Sequence, residues 1–149
     1  METEYQGRGM ITDQSELEGS CYIEILPGTY QGKCWNEGSV FFTEETFAYI
    51  ETSIEREVPA YDHYGFNVIS KQEWARILKR LDVLAALLRE RPSMEAIKQH
   101  VDFFYGDGEE EFRQSYDEHI AWLADLVHGF RTWLREQLEM HEYISVLGI

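Results

Sequence analysis

Ser70-Lys-Gln-Glu-Trp-Ala-Arg-Ile-Leu-Lys-Arg-Leu-Asp-Val-Leu-Ala-Ala-Leu-Leu88 carries the clearest structural instruction in the chain. Its first four residues form a capping box: the Ser70 hydroxyl meets the Glu73 backbone N–H, and the Glu73 carboxylate reaches back to the Ser70 N–H. Trp74, Ile77, Leu78, Leu81, Leu84, Leu87 and Leu88 then recur at steps of three and four, the spacing of one helix face. Arg91-Pro92 stops the helix, because proline cannot continue it. A stripe this apolar has to be covered by other elements.

On the C-terminal side, Ser93 caps a shorter helix carrying Met94, Ile97, Val101 and Phe104, which Gly106-Asp-Gly108 ends. From Glu109 to about Met140 the chain reads as one long helix or two joined ones. Phe112, Tyr116, Ile120, Leu123, Val127, Phe130, Leu134 and Leu138 form its apolar face, and Gly129 marks a candidate kink. The tail Tyr143–Ile149 either adds an edge strand or packs as an apolar tail. On the N-terminal side, residues 1–20 read as a loose lead-in. Cys21–Leu26 is a strand that ends in the turn Pro27-Gly28. Val40-Phe-Phe42 is a second strand. Thr43 caps a helix with Glu44 and Glu45 in its first turn, where the helix dipole favours negative charge. Phe47, Ile50 and Ile54 share its inner face, and Pro59 ends it. Phe66–Ile69 is a third short strand. The expected fold is α+β: a small N-terminal antiparallel sheet packed against three to four helices, most of them C-terminal, in a single domain over 1–149.

Charge is the strongest functional signal. Asp and Glu number 28 against 13 Lys and Arg, a formal net charge of −15. Residues 1–69 hold 13 acids against 3 bases, a net of −10, and residues 70–149 hold 15 against 10, a net of −5. Such a field repels nucleic acid and anionic membranes and attracts basic partners. Aromatic residues are 14% of the chain, which argues against disorder despite the charge. No apolar run approaches the ~20 residues of a membrane span. Met1-Glu-Thr-Glu4 lacks the basic start and apolar run of a secretory signal, so a cytoplasmic protein is expected, with Cys21 and Cys34 as reduced core thiols. A disulfide between them would require that they flank a hairpin.

Catalytic and metal motifs are weak. Asp117, His119, Asp125 and His128 lie on the long helix, but the chain has no Glu-x-x-His and no His-Glu-x-x-His. The two cysteines form no close pair of the kind zinc uses. Gly106-Asp-Gly108 is followed by Glu109, Glu110 and Glu111, which repel phosphate. His63, in Tyr61-Asp-His-Tyr-Gly-Phe66, is the one histidine in a loop of catalytic character, and its neighbour Asp62 need not be its partner in space. Neither a cofactor nor catalysis is expected. Tyr61 and Tyr64 beside Asp62 have instead the make-up of an interface hot spot, although the same rings can cap a core. Tyr30, Trp35 and Phe42 invite the same two readings.

In length, acidity and α+β make-up, the chain resembles the small immunity proteins that bacteria make against secreted toxins. The resemblance is one of class and rests on no diagnostic motif. It implies one-to-one neutralisation of a cognate toxin, such as a nuclease, by a cytoplasmic monomer or weak dimer that binds neither nucleic acid nor membrane. Carboxylates facing a basic active site would raise both affinity and association rate. The residues expected to meet the basic partner are Glu37, Glu44, Glu45, Glu51, Glu55, Tyr61, Asp62 and Tyr64. Two other readings stand beside this one. The first is a small-ligand binder or enzyme using His63 or the Asp117/His119/Asp125/His128 group. The second is an adaptor or oligomer subunit pairing through the Leu-rich 74–88 face.

Overall fold

The computed structural model describes residues 9–104 and 106–149. Within them the order is β1 (Tyr22–Pro27), β2 (Val40–Thr43), α1 (Glu44–Glu57), β3 (Phe66–Ser70), α2 (Lys71–Leu88), α3 (Met94–Lys98), α4 (Gly108–Gln114), α5 (Tyr116–Leu138) and β4 (Tyr143–Leu147). The α+β class expected from sequence is the class observed. The four strands form one sheet in the order β2-β1-β4-β3, with every neighbouring pair antiparallel.

Local chemistry starts the helices where the sequence places them. Thr43 accepts from the Thr46 N–H, Ser93 from the Ala96 N–H, and Ser70 and Glu73 complete the capping box. Other expectations are corrected. Helix α3 ends at Lys98, so Val101 and Phe104 lie beyond it, and Val101 is buried from an irregular segment. The long C-terminal segment is two helices, broken at Ser115, whose φ of −121° and ψ of 48° are not helical. Gly129 sits inside α5 without ending it. The tail is neither an edge strand nor loose packing: β4 is interior, between β1 and β3. Of the expected lead-in, residues 1–8 lie outside the described residues, as does the Met1–Glu4 segment read for a signal. From Gly9 onward the lead-in is tied down, since buried Ile11 exchanges two backbone hydrogen bonds with Phe41 (2.9 and 2.8 Å) along β2.

Strand alternation sorts the sheet into two faces. Ile23, Ile25, Val40, Phe42, Ile69, Ile144 and Val146 point into a continuous core with Phe47, Ile50 and Ile54 of α1 and the apolar faces of α2 and α5. Trp74 is fully buried there, and its indole N–H donates to the Ile144 carbonyl at 3.0 Å, joining α2 to β4. Trp74, Ile77, Leu81, Leu84 and Leu88 of the Leu-rich face of α2 are buried in this core, with Leu78 packed against it. On the opposite face, register aligns Phe41, Glu24, Leu147 and Phe66 in one row across all four strands.

Trp74→Ala should cost roughly 3–5 kcal/mol, the usual price of deleting a buried aromatic side chain. Ser70→Ala should cost about 1 kcal/mol, the loss of one cap. Urea denaturation monitored by circular dichroism measures both, and equal losses would contradict the central place given to α2 and β4.

Candidate functional site

Helix α1 and the loop that follows it build one side of the candidate site. Glu44 and Glu51 are two helical turns apart on the same face of α1. The His63 ring bridges them, with Nε2 at 2.8 Å from Glu44 Oε2 and Nδ1 at 2.5 Å from Glu51 Oε2. The Tyr61 hydroxyl donates to the same Glu51 oxygen at 2.6 Å. A neutral imidazole would aim a lone pair at one of the two carboxylates, so this geometry selects the doubly protonated ring, with both N–H groups donating. Burial pulls the His63 pKa down, but hydrogen bonds to Glu44 and Glu51 and the charges of both outweigh it, and the net shift is upward. Burial and the same Glu51 bond push the Tyr61 hydroxyl far above its usual range.

The loop is held by its own turn residues. Asp62 accepts from the Tyr64 N–H at 3.0 Å, and the Asn67 amide closes back on Asp62 and Gly65. Gly148 lies directly beneath it: a Cβ there would stand 2.3 Å from the His63 carbonyl oxygen and 2.9 Å from that of Gly65. Only glycine permits so close an approach of β4's end to the loop.

The residues expected to meet a partner therefore separate. Glu44 and Glu51 each commit one carboxylate oxygen to His63, and the Tyr61 hydroxyl is committed to Glu51. Asp62 is exposed but organises its turn, and it is not the partner of His63. Tyr64 projects outward, 71% exposed, with its ring edge-on to His63. Glu55 is exposed, and burial of its carboxyl together with the charges of Glu51 and Asp102 raises its pKa. Glu45 is half-buried on the first turn of α1. Glu37 is exposed elsewhere, in the β1–β2 connection near Asp13 and Asn36. Of the other aromatics, Phe42 belongs to the core, while Tyr30 leans on Phe66.

A second feature, on the sheet face away from the helices, escaped the sequence reading. A groove of about 430 Å³ runs over the Glu24–Leu147–Phe66 row and is walled by Tyr22, Trp35 and Tyr64. Glu24 is 2% exposed. Its carboxylate accepts from the backbone N–H groups of Trp35 (2.6 Å) and Asn36 (2.9 Å), the Asn36 amide (3.0 Å) and the Ser39 hydroxyl (2.6 Å). Trp35 has φ = 66°, a left-handed conformation costly for a bulky residue, and the Glu24 bond is what holds it there. An acid at the centre of an apolar strand was the signal in the sequence.

Other candidates do not assemble. Cys21 and Cys34 are free and exposed rather than core thiols. Asp117 pairs with Arg91, and His119 is buried against Phe112. Among the described residues, no three His, Cys, Asp or Glu side chains stand where they could hold one metal ion, and no helix is long and apolar enough to cross a membrane.

Because the folded-state pKa of His63 is raised, its contribution to stability is complete below about pH 6.5, the ordinary imidazole value, and is lost as pH rises through the higher folded value. The thermal midpoint of the wild type should fall relative to that of His63→Gln between pH 6 and 9. His63→Gln itself should cost about 2 kcal/mol at pH 6, because two charge-assisted hydrogen bonds are lost. Parallel pH profiles for the two proteins would contradict the clamp. Comparison of the chain with protein-family models, with curated proteins and with solved structures gives no match, so charge and geometry are what speak to its function.

Proposed function

We propose that this chain is a binding module that occupies and neutralises a basic protein, most economically as an immunity protein against a cognate bacterial toxin such as a nuclease. The observation that carries this reading is how its few cations are spent. Arg76 and Arg80 share Glu57, Arg131 and Arg135 share Asp82, Lys98 and Arg113 share Glu109, and Arg91 pairs with Asp117. Among the described residues, seven of the chain's thirteen bases are thus gathered on four carboxylates, which leaves 24 carboxylates against six bases in the rest of the chain. Surface ion pairs of this kind contribute little to stability. Drawing two cations onto one carboxylate does confine positive charge to a few places and concentrates the acid surplus in the rest of the chain, which sharpens the negative field seen there by an approaching partner. A nuclease must present a positive surface to its substrate, and an acidic inhibitor gains both rate and selectivity by covering it.

Of the residues expected to meet such a partner, Glu37, Glu55 and the outward-facing Tyr64 stand exposed. The test is affinity capture from the source cell with this chain as bait, together with expression of the neighbouring reading frame. Recovery of one basic protein whose expression arrests growth, and whose effect this chain relieves, is the expected result. Tyr64→Ala should then weaken the complex by about 2 kcal/mol, as loss of a central anchor does. The combined change Glu37→Gln and Glu55→Gln should slow association. A captured partner that is acidic, or a basic one whose affinity none of these changes alters, would contradict the proposal.

A further inference from the structure

We propose that the groove on the outer face of the sheet is an arginine-binding site, in which Tyr22, Trp35, Tyr64 and Phe66 enclose the guanidinium of an arginine presented by the basic partner and Glu24 supplies the charge beneath it. This deepens the reading above and rests on it.

The walls have the right chemistry. Aromatic faces attract cations, and a planar guanidinium stacks on them while its edges keep their hydrogen-bond donors. Tyr22 and Trp35 meet edge to face at 75° with centroids 6.3 Å apart, which makes a corner of two differently oriented rings. Phe66 is 48% exposed and Tyr64 71% exposed, so both offer ring surface that the protein does not cover. Leu147, Gly148 and Ile149 complete an apolar lining without a Lys or Arg.

Glu24 makes the groove selective for a cation. Its hydrogen-bond partners, Trp35, Asn36 and Ser39, are all uncharged. The dipoles satisfy the carboxylate but leave its charge unneutralised, in a setting where that charge acts strongly. Burial raises the pKa of the neighbouring Cys34 thiol, and the charge of Glu24 raises it further. The same carboxylate holds Trp35 in its left-handed conformation and so positions the indole as a wall. One residue thus both shapes the groove and charges it. An apolar occupant would use the rings but would leave the charge uncompensated.

The test is an NMR titration of the full chain with N-acetyl-arginine-N-methylamide, compared with the citrulline analogue, which has nearly the same shape and no charge. The arginine compound should shift the Trp35 indole and the Tyr22 and Phe66 rings saturably, with a Kd on the order of millimolar. The citrulline compound should bind about tenfold more weakly, the difference expected when a cation–π contact is lost. Glu24→Gln should remove that difference. Because Glu24 also holds its loop, Tyr64→Ala serves as the second variant: it removes an exposed wall, should leave the free-state spectrum of Trp35 in place, and should weaken arginine binding several-fold. Equal binding of arginine and citrulline overturns the proposal in favour of a neutral apolar occupant. Shifts at Glu45 and Glu55 with the groove silent overturn it while leaving the basic-partner reading intact. Absence of any shift also overturns it, and the growth-rescue experiment then decides the basic-partner reading separately.

Discussion

Strand β4 is the constraint on which the rest of the structure depends. It lies between β1 and β3, so the N-terminal hairpin and the strand that leads into α2 share a sheet only through the last residues of the chain. Its inner face supplies Ile144 and Val146 to the core, and the Ile144 carbonyl receives the Trp74 indole. Its outer face supplies Leu147 to the groove, and Gly148 brings its end against the loop that carries His63. The core, the loop of the histidine clamp and the groove therefore all lean on one strand, and long-range pairing of this kind slows folding.

Two features meet around that strand, and charge links them. On the helix side, two carboxylates that would otherwise add to the acidic surface close on His63, and the Tyr61 hydroxyl donates to one of them. Two glutamates on one helix face repel each other, and the imidazolium between them converts that repulsion into a tie for the loop. On the open side of the sheet, the Glu24 carboxylate is buried among neutral donors beside four aromatic rings. The exposed Tyr64 belongs to both features, with its ring against His63 and its side chain lining the groove. A basic partner approaching the acidic surface would meet that tyrosine and the groove beside it.

What could be read from the sequence was what local chemistry determines. Helix α2 was legible because a capping box and a 3.6-residue apolar period are written in consecutive residues. The α+β class followed from the same kind of signal at Thr43, Ser93 and the β-branched runs. The interior position of β4 was not legible, because Tyr143–Leu147 pairs with residues more than seventy positions away and nothing in its own composition names them. The break at Ser115 escaped because the apolar period runs across it. For the candidate site, the acidic residues of α1 and the loop tyrosines stood out in the sequence, but not that Glu44 and Glu51 close on His63 and Tyr61 on Glu51, since that depends on where the loop returns. Glu24, set between Ile23 and Ile25, was the one strong local hint that was missed.

The account's central claim is recognition of a basic protein through this negative field, and the association rate measures it most directly. Stopped-flow mixing of the chain with its captured partner, from about 20 mM to about 500 mM salt, spans Debye lengths from ~20 Å to a few ångströms. The account predicts an association rate that falls at least tenfold across that range while dissociation changes little, the signature of electrostatic steering. An association rate independent of salt would contradict it.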